Sequence, residues 1–539
     1  YYKLTMRGEP FLPWDIFQIK DLMGVSSSLS SSFPLPIIIT PFIILGLALL
    51  ASRFHLPQNK DKKSGLIYRF SAALLGLGGG LLLLFGIFLN PTGSYMAGIH
   101  PDMWMQDRYY RTHGVLTGFL TNIQVLNISV PEGYSGEKAL GLARRTEQNA
   151  VNAGGGLDHA AFAVGEEEVQ QPDIIYVMAE SFWDVTSLPG VTYDQPLLDN
   201  LQRLSQQGAS GLLYTPSFGG GTCDVEFEAL TGFSMEHLPA GSKPFQQYVT
   251  GNTFSLPNYL KSTGYETLAI HGYGRTFWNR DSAYPRLGID TFIASDDFVD
   301  PVKKRGFISD DAMVDRIIEE HQKRANEDTP VFIHAVTMQN HTTYNRDKYP
   351  EEELVNVTGA PDAVPDATIG QLEDCATGIR DMDAALGKLA DYLQTCARPP
   401  ILVVWGDHLN PMSDGLNLFT ESGLIEEGRS ADTQMHETPL LIGSNHATTQ
   451  VDLGIVAAYH LSPVASELYG LDRPVFFDYL LQQLDTLRVR TRGITVSPDG
   501  SYSEELTDAQ QESVLGHSIH QFDYLSGDGV LESYTPKED

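Results

Sequence analysis

Four short apolar runs, far apart in the chain, each lead into a side chain able to hold a metal ion or move a proton. Residues 174–178 run into Glu180, 267–270 into His271, 331–337 into Asn340-His341, and 401–405 into Gly406-Asp407-His408. A fifth run covers 439–442. Between them lie stretches with helical spacing at 197–207, 256–262, 310–325, 369–393 and 475–487. Short apolar runs alternating with helices predict an α/β domain with a mainly parallel central sheet flanked by helices. In such sheets ligands bind beyond the carboxyl ends of the strands. Four strands that each deliver a reactive group to that edge restrict the chain to folds in which those groups meet.

Glu180, Asp407 and His408 offer two carboxylates and one imidazole, a set that suits a divalent cation such as Mn²⁺, Mg²⁺ or Zn²⁺. Each has a plainer reading alone: Glu180 as a cap or salt-bridge partner, Asp407-His408 as a helix cap beside a surface histidine. Thr222 follows Gly219-Gly220-Gly221 at the start of a helical stretch. Its hydroxyl there stands beside unpaired backbone N–H groups and the positive end of the helix dipole, a place for phosphate. The plainer reading is an N-cap. With a metal at hand the same hydroxyl becomes a candidate nucleophile, because coordination lowers its pKa. His271 and His341 are candidates for contacting phosphate oxygens or passing a proton to a leaving group. Trp278 adds an indole donor and Arg280 a planar cation suited to phosphate. Arg280 pairing with Asp281 or Asp290 is the alternative. Cys223 is a rival nucleophile, but Asp224-Val225-Glu226-Phe227 after it lacks the Pro and Arg of the Cys-x-Pro-x-Arg signature that formylglycine enzymes carry.

The 539 residues include 36 basic and 68 acidic side chains, a formal charge of −32. That balance argues against nucleic acid as a partner. Of three cysteines, Cys375 and Cys396 stand roughly 30 Å apart along a helical stretch, too far to bridge. Residues 33–52 and 70–89 are uncharged and apolar, each about long enough to cross a roughly 30 Å hydrocarbon core. The loop between them carries Arg53, Lys60, Lys62, Lys63 and Arg69 against Asp61, which places it in the cytoplasm. The expected organisation is an extracytoplasmic segment 1–32, a transmembrane helix 33–52, a cytoplasmic loop 53–69 and a second transmembrane helix 70–89. A linker with helices follows over 90–171, then an extracellular catalytic domain over 172–496 and an acidic, aperiodic tail over 497–539. A chain that opens on Tyr1 reads as a fragment or processed form, with further spans expected before it.

Taken in order, several stretches resemble the lipoteichoic acid synthase family of the alkaline phosphatase and sulfatase superfamily. They are Tyr176-Val177-Met178-Ala179-Glu180-Ser181, Gly219-Gly220-Gly221-Thr222 with Glu226-Phe227-Glu228, and His271 with Phe277-Trp278-Asn279-Arg280. Asn340-His341, Gly406-Asp407-His408 and Glu437-Thr438-Pro439 complete the set. Arg7-Gly8-Glu9-Pro10 and the apolar stretches resemble the family's membrane part. The resemblance implies a sulfatase-like domain preceded by transmembrane helices, in a multi-pass bacterial membrane enzyme with its catalytic domain outside the cell. It implies transfer of glycerol phosphate from phosphatidylglycerol, or a similar anionic lipid, to a lipoteichoic-acid-type polymer or a glycan. The route is a phospho-threonine, with one divalent ion, Mn²⁺ foremost. Matching positions imply Glu180, Thr222, Asp407 and His408 as metal ligands, Thr222 as the catalytic residue, and His271, Trp278, Arg280 and His341 around glycerol phosphate. Two departures touch the substrate pocket. Tyr273 stands where the synthases often place Asp, and Leu409-Asn410-Pro411 follows Asp407-His408. The same site also suits phosphoethanolamine transfer, sulfate ester hydrolysis or phosphodiester hydrolysis. A non-catalytic surface protein is the reading from another class.

Overall fold

The computed structural model describes residues 10–16, 62–99, 106–153, 171–324, 329–398, 400–413, 415–425, 433–445 and 450–534. It divides into two compact units, Tyr1–Asn127 and Ile128–Asp539. The second is built on an eight-stranded sheet: β1 Asp173–Ala179, β2 Ala209–Tyr214, β3 Glu266–His271, β4 Thr291–Ile293, β5 Val331–Val336, β6 Pro400–Gly406, β7 Glu437–Ser444 and β8 Val451–Ala457. The strand order is β8-β2-β7-β6-β1-β5-β3-β4. Every pairing is parallel except those that β7 makes with β6 and β2.

Sheet and sequence agree because β1, β5 and β6 are buried along their whole length. Strands covered on both faces read as unbroken apolar runs. Alternate residues divide between two cores, Ile174, Tyr176 and Met178 on one face and Ile175, Val177 and Ala179 on the other, as the two-residue period of a strand requires. Four adjacent parallel strands, β6-β1-β5-β3, end nearly level. Ala179 lies opposite Gly406, Met178 opposite Val336, and His271 also opposite Val336. One edge of the sheet therefore carries the segments that hold Glu180, Asp407, His408, His341 and His271. Gly406 is required there, since a Cβ on it would lie 1.8 Å from the Phe182 carbonyl oxygen.

Three strands carry no clear apolar run. β2 is half small residues, β4 has three residues, and β8 is an edge strand with an irregularity at Asp452/Gly454. The expected tail contains an 18-residue helix, Asp508–Leu525, started by a capping box between Thr507 and Gln510. Its buried face holds Gly516, His517, His520, Gln521 and Asp523 beside Ile519 and Phe522, so apolar periodicity does not reveal it. The helix Gly136–Ala153, expected in a linker, packs against this helix and Val475–Gln483, and belongs to the larger unit.

In the smaller unit, Leu12, Trp14, Tyr109, Tyr110 and Val125 form a separate core. Gln106 and Asn122 pair their amides reciprocally inside it (3.2 and 2.8 Å). The expected transmembrane helix 33–52 lies outside the described residues. The expected span 70–89 is not one continuous α-helix: the helix Lys62–Leu83 passes into a π-helical turn at Leu84–Phe88. Among the described residues no helix is long and apolar enough to cross a membrane, so the structure does not carry the two-span expectation.

Candidate active site

Glu180 and Asp407 leave the sheet side by side, because β1 and β6 end in register. Ser181 has φ 53° and turns the chain across the strand ends. Its N–H donates to Asp407 Oδ1 (2.7 Å), its hydroxyl donates to Glu180 Oε1 (2.7 Å), and its carbonyl accepts from Asn340 Nδ2 (3.2 Å). Asn410 Nδ2 donates to the Ser181 hydroxyl and to Tyr344 Oη (3.0 Å). One serine thereby joins the segments after β1, β5 and β6. Nothing local in the sequence marks Ser181 or Asn410 for this task.

Glu180, Asp407 and His408 are buried, and each places a ligand atom within 4.8 Å of the others. His408 Nδ1 donates to the Leu409 carbonyl (3.2 Å). Its Nε2 lone pair then lies 3.2 Å from Asp407 Oδ2 and 4.0 Å from Glu180 Oε1. Among the described residues, Asp407 Oδ2 accepts no hydrogen bond. Burial, followed by the Asp407 charge, pushes the Glu180 carboxyl up to about 8. Three side chains able to give electron pairs converge here, an arrangement that a divalent cation satisfies. Two carboxylate oxygens and one imidazole fit Mn²⁺, Mg²⁺ or Zn²⁺. A surface histidine is ruled out by its burial.

A carboxyl raised in the fold keeps a proton that the unfolded chain has already lost. Its stabilising contribution is complete below its ordinary 4.5 and disappears as the pH climbs towards about 8. Metal competes with that proton and is favoured at higher pH. Chelator-treated protein is therefore expected to lose Tm between about pH 5 and about pH 8, and Mn²⁺ to raise Tm more at the upper end. Equal metal-induced shifts at both ends contradict a site that includes Glu180.

The helix Thr222–Thr231 is capped by Gly221 in left-handed backbone (φ 90°), so Thr222 is its first residue and makes no capping bond. Gly219 N–H donates to the Leu409 carbonyl (2.8 Å), holding the glycine run against the segment after His408. Thr222 is 6% exposed. In the same turn Asp224 pairs with buried Lys243 (2.5 Å). Cys223 is buried, and burial with Asp224 beside it pushes its thiol well above the ordinary range. It is not a thiolate nucleophile.

One turn beyond Thr222, Glu226 is fully enclosed. Arg280 Nε and Nη2 donate to its Oε2 (3.0 and 2.8 Å), while Tyr284 Oη and His334 Nε2 donate to its Oε1 (2.5 and 3.1 Å). Burial raises this carboxyl, but Arg280 and the other donors outweigh it and hold it at about 2. Where nearness in sequence favours Asp281 or Asp290 for Arg280, the structure supplies Glu226, and Asp290 pairs with Lys261. Arg280 Nη1 donates to His271 Nε2 (3.2 Å), and His271 Nδ1 donates to the Val336 carbonyl (3.1 Å). Both ring nitrogens are committed, and burial with the Arg280 charge lowers the imidazole to about 3. His271 is a neutral, positioned ring. His341 differs: its Nδ1 donates to the Thr342 carbonyl (2.7 Å), and its Nε2 makes no hydrogen bond among the described residues. Burial lowers its pKa, with the Thr342 carbonyl and Asp407 opposing.

Trp278 and Asn279 take left-handed backbone (φ 55° and 63°), and Lys243 Nζ lies 5.3 Å over the Trp278 ring. Three of the expected pocket residues, Trp278, His271 and His341, are joined by a run of rings. Trp278 touches Phe277 (5.4 Å), which stacks on His271 (6.3 Å, 11°) and meets Tyr273 (5.1 Å). Tyr273 meets Phe307 (6.0 Å), and Phe307 meets His341 (5.8 Å). Arg305 fixes the last segment. It grips Asp374 with Nε and Nη2 (2.7 and 3.0 Å) and donates to the carbonyls of Gln339 (2.6 Å), His341 (2.9 Å) and Thr343 (3.1 Å). Lysine cannot reproduce that planar fork. Arg305→Lys is expected to cost about 2 kcal/mol in a urea melt, with a fall in turnover as the His341 segment loosens. Parent-like values for both contradict this assignment.

A model of the sulfatase family matches residues 172–471. The chain is 31% identical over 437 residues to a putative cyclic beta-1,2-glucan modification protein of Rhizobium meliloti, covering 79% of this chain and 63% of that protein. It is 26% identical over 336 residues to a lipoteichoic acid synthase of Staphylococcus saprophyticus, covering 59% and 48%. The chain thus spans less than two thirds of the length of these relatives. Among solved structures, the Streptococcus pyogenes phosphoglycerol transferase GacH in complex with sn-glycerol-1-phosphate superposes with a TM-score of 0.62 at 20% identity, over 75% of this chain and 97% of that one. The lipoteichoic acid synthase LtaP from Listeria monocytogenes gives 0.51 at 16%, over 70% and 98%. At these identities the likeness is one of fold. Matched by the family model over more than half its length and carrying the expected strand-end groups on one sheet edge, the chain belongs to the sulfatase family.

Proposed function

We propose that this protein is a metal-dependent phosphoglycerol transferase that takes glycerol phosphate from phosphatidylglycerol, or a similar anionic lipid, and passes it through Thr222 to a polymer or glycan acceptor. The observation that carries the reading is the free-standing Thr222 hydroxyl at a helix start whose glycine run is tied to the segment beside three convergent electron-pair donors. The names of the relatives, lipoteichoic acid synthase and phosphoglycerol transferase, support the transferred group, and the donor follows from the family resemblance. The uncharged stretches 33–52 and 70–89 of the sequence support a site of action beside the outer face of a bacterial membrane.

Glu180, Asp407, His408 and Thr222 are the residues that would hold the metal. When bound, a divalent ion such as Mn²⁺ supplies a Lewis acid that lowers the pKa of a hydroxyl and offsets phosphoryl charge. Thr222 Oγ1 attacks the phosphorus, an O–P bond forms, and the P–O bond to diacylglycerol breaks. His341 Nε2, the imidazole nitrogen left uncommitted, takes the threonine proton and returns it to the diacylglycerol oxygen. An acceptor hydroxyl then displaces Thr222 by the same path in reverse. Glu226 and Arg280 keep His271 and the adjoining Phe277-Trp278 turn in one arrangement, so that the pocket is set before substrate arrives.

The test is incubation with head-group-labelled phosphatidylglycerol, with and without manganese. Diacylglycerol release and label transfer that need the metal are expected. Release of ethanolamine phosphate from phosphatidylethanolamine, with phosphatidylglycerol untouched, would reject the donor.

A further inference from the structure

The ring run from Trp278 to His341 extends beyond what a glycerol phosphate pocket needs. Its middle members, Tyr273, Phe277 and Phe307, are not among the residues the resemblance implies for that pocket. Tyr273 is 41% exposed, and Phe277 and Phe307 are partly exposed. Phe307 reaches the wall from a short hairpin, Lys303–Lys304 paired with Phe307–Ile308. Arg305 in that hairpin's turn clamps the His341 segment, so hairpin and catalytic loop are one rigid piece. The Phe307 end of the wall is therefore held against the His341 segment.

The charges around it restrict what it can hold. Arg275, two residues after Tyr273, is tied to Asp297 and Asp296. Lys304, which shares the Phe307 face of the hairpin, is tied to Asp381 (2.8 Å) and Glu353 (3.1 Å). Arg305 is tied to Asp374. Arg275, Lys304 and Arg305 are thus each paired with carboxylates, in a chain of net charge −32, while Lys348 bonds the Thr343 carbonyl and Lys303 is exposed. A polyanion would meet few cations there that are not already paired. Aromatic faces with a phenol hydroxyl among them and an imidazole at one end suit a flat, uncharged ligand with many hydroxyls.

We infer that Tyr273, Phe277 and Phe307 form an acceptor subsite that stacks an uncharged sugar ring and presents one of its hydroxyls to the phosphoglyceryl group on Thr222. The inference rests on the proposed transferase reading and names its acceptor class. Tyr273 in place of Asp is then a specificity-determining residue.

Two measurements test it. The first is binding of a linear, uncharged gluco-oligosaccharide to the full chain by calorimetry, which needs no turnover. Tyr273→Ala and Phe307→Ala are expected to weaken binding about tenfold each, and Tyr273→Phe to keep most of it. The second compares label transfer to that oligosaccharide with diacylglycerol release from phosphatidylglycerol vesicles. In Tyr273→Ala, transfer is expected to fall about tenfold more than release does, through KM for the sugar. No saccharide binding by the parent chain, or equal binding by Tyr273→Ala, overturns the subsite whatever the donor proves to be. A rise in KM for the lipid instead assigns the wall to an acyl chain and also overturns it. Saccharide binding without any cleavage of phosphatidylglycerol sinks the transferase reading and leaves the sugar-stacking wall standing.

Discussion

Thr222→Ala is expected to lower diacylglycerol release from phosphatidylglycerol by on the order of 10⁴-fold or more, as removal of a covalent nucleophile does. The reason is positional. Gly221 caps the helix, so the Thr222 hydroxyl has no structural duty to mask a catalytic one. Fold should survive, because the side chain contributes no cap. Metal uptake should weaken and persist, because Glu180, Asp407 and His408 remain. Thr222→Ser keeps a hydroxyl and should recover part of the rate. Labelled-lipid kinetics with parallel Mn²⁺ titration check all three statements. Full turnover in Thr222→Ala, with metal still bound, would mean that another group attacks phosphorus.

Glu226→Ala is expected to have the largest effect on stability, about 3–5 kcal/mol, because it strands a buried cation. Arg280 and Glu226 have no exposed side-chain surface, and among the described residues no other carboxylate pairs with Arg280. Tyr284 and His334 lose their acceptor as well. Glu226→Gln keeps the shape and one acceptor oxygen, so its loss should be clearly smaller. In both variants His271 is released from its single arrangement, and turnover should fall further than unfolding alone accounts for. Urea melts together with kcat at a temperature where each variant is folded separate the two contributions. Parent-like stability in Glu226→Ala would contradict a buried, charge-paired Arg280.

The strands that bear chemistry were legible because burial on both sheet faces leaves an unbroken apolar run that ends abruptly at a polar group, as at Val177-Met178-Ala179-Glu180 and Val404-Trp405-Gly406-Asp407. Glu180, Asp407 and His408 could be grouped for that reason alone, and the structure brings them together. The Glu226–Arg280 pair has no such signature, since its members lie 54 positions apart and Arg280 has nearer carboxylates in Asp281 and Asp290. From its place at a strand end His271 is a candidate for contacting phosphate oxygens or for passing a proton to a leaving group. Only coordinates reveal that the Val336 carbonyl and Arg280 occupy both its nitrogens. The helix Asp508–Leu525 has no apolar period in the sequence because histidine, glutamine and aspartate line its buried face, and polar side chains satisfied inside a fold look like solvent-facing ones in sequence.

The most direct measurement is peptide mass analysis after rapid acid quench of the protein mixed with phosphatidylglycerol and manganese. The account predicts one modified peptide, carrying Thr222 and heavier by glycerol phosphate less water, formed only with metal and absent in Asp407→Asn. Turnover with Thr222 unmodified at every quench time, or the same mass on a different residue, would contradict it.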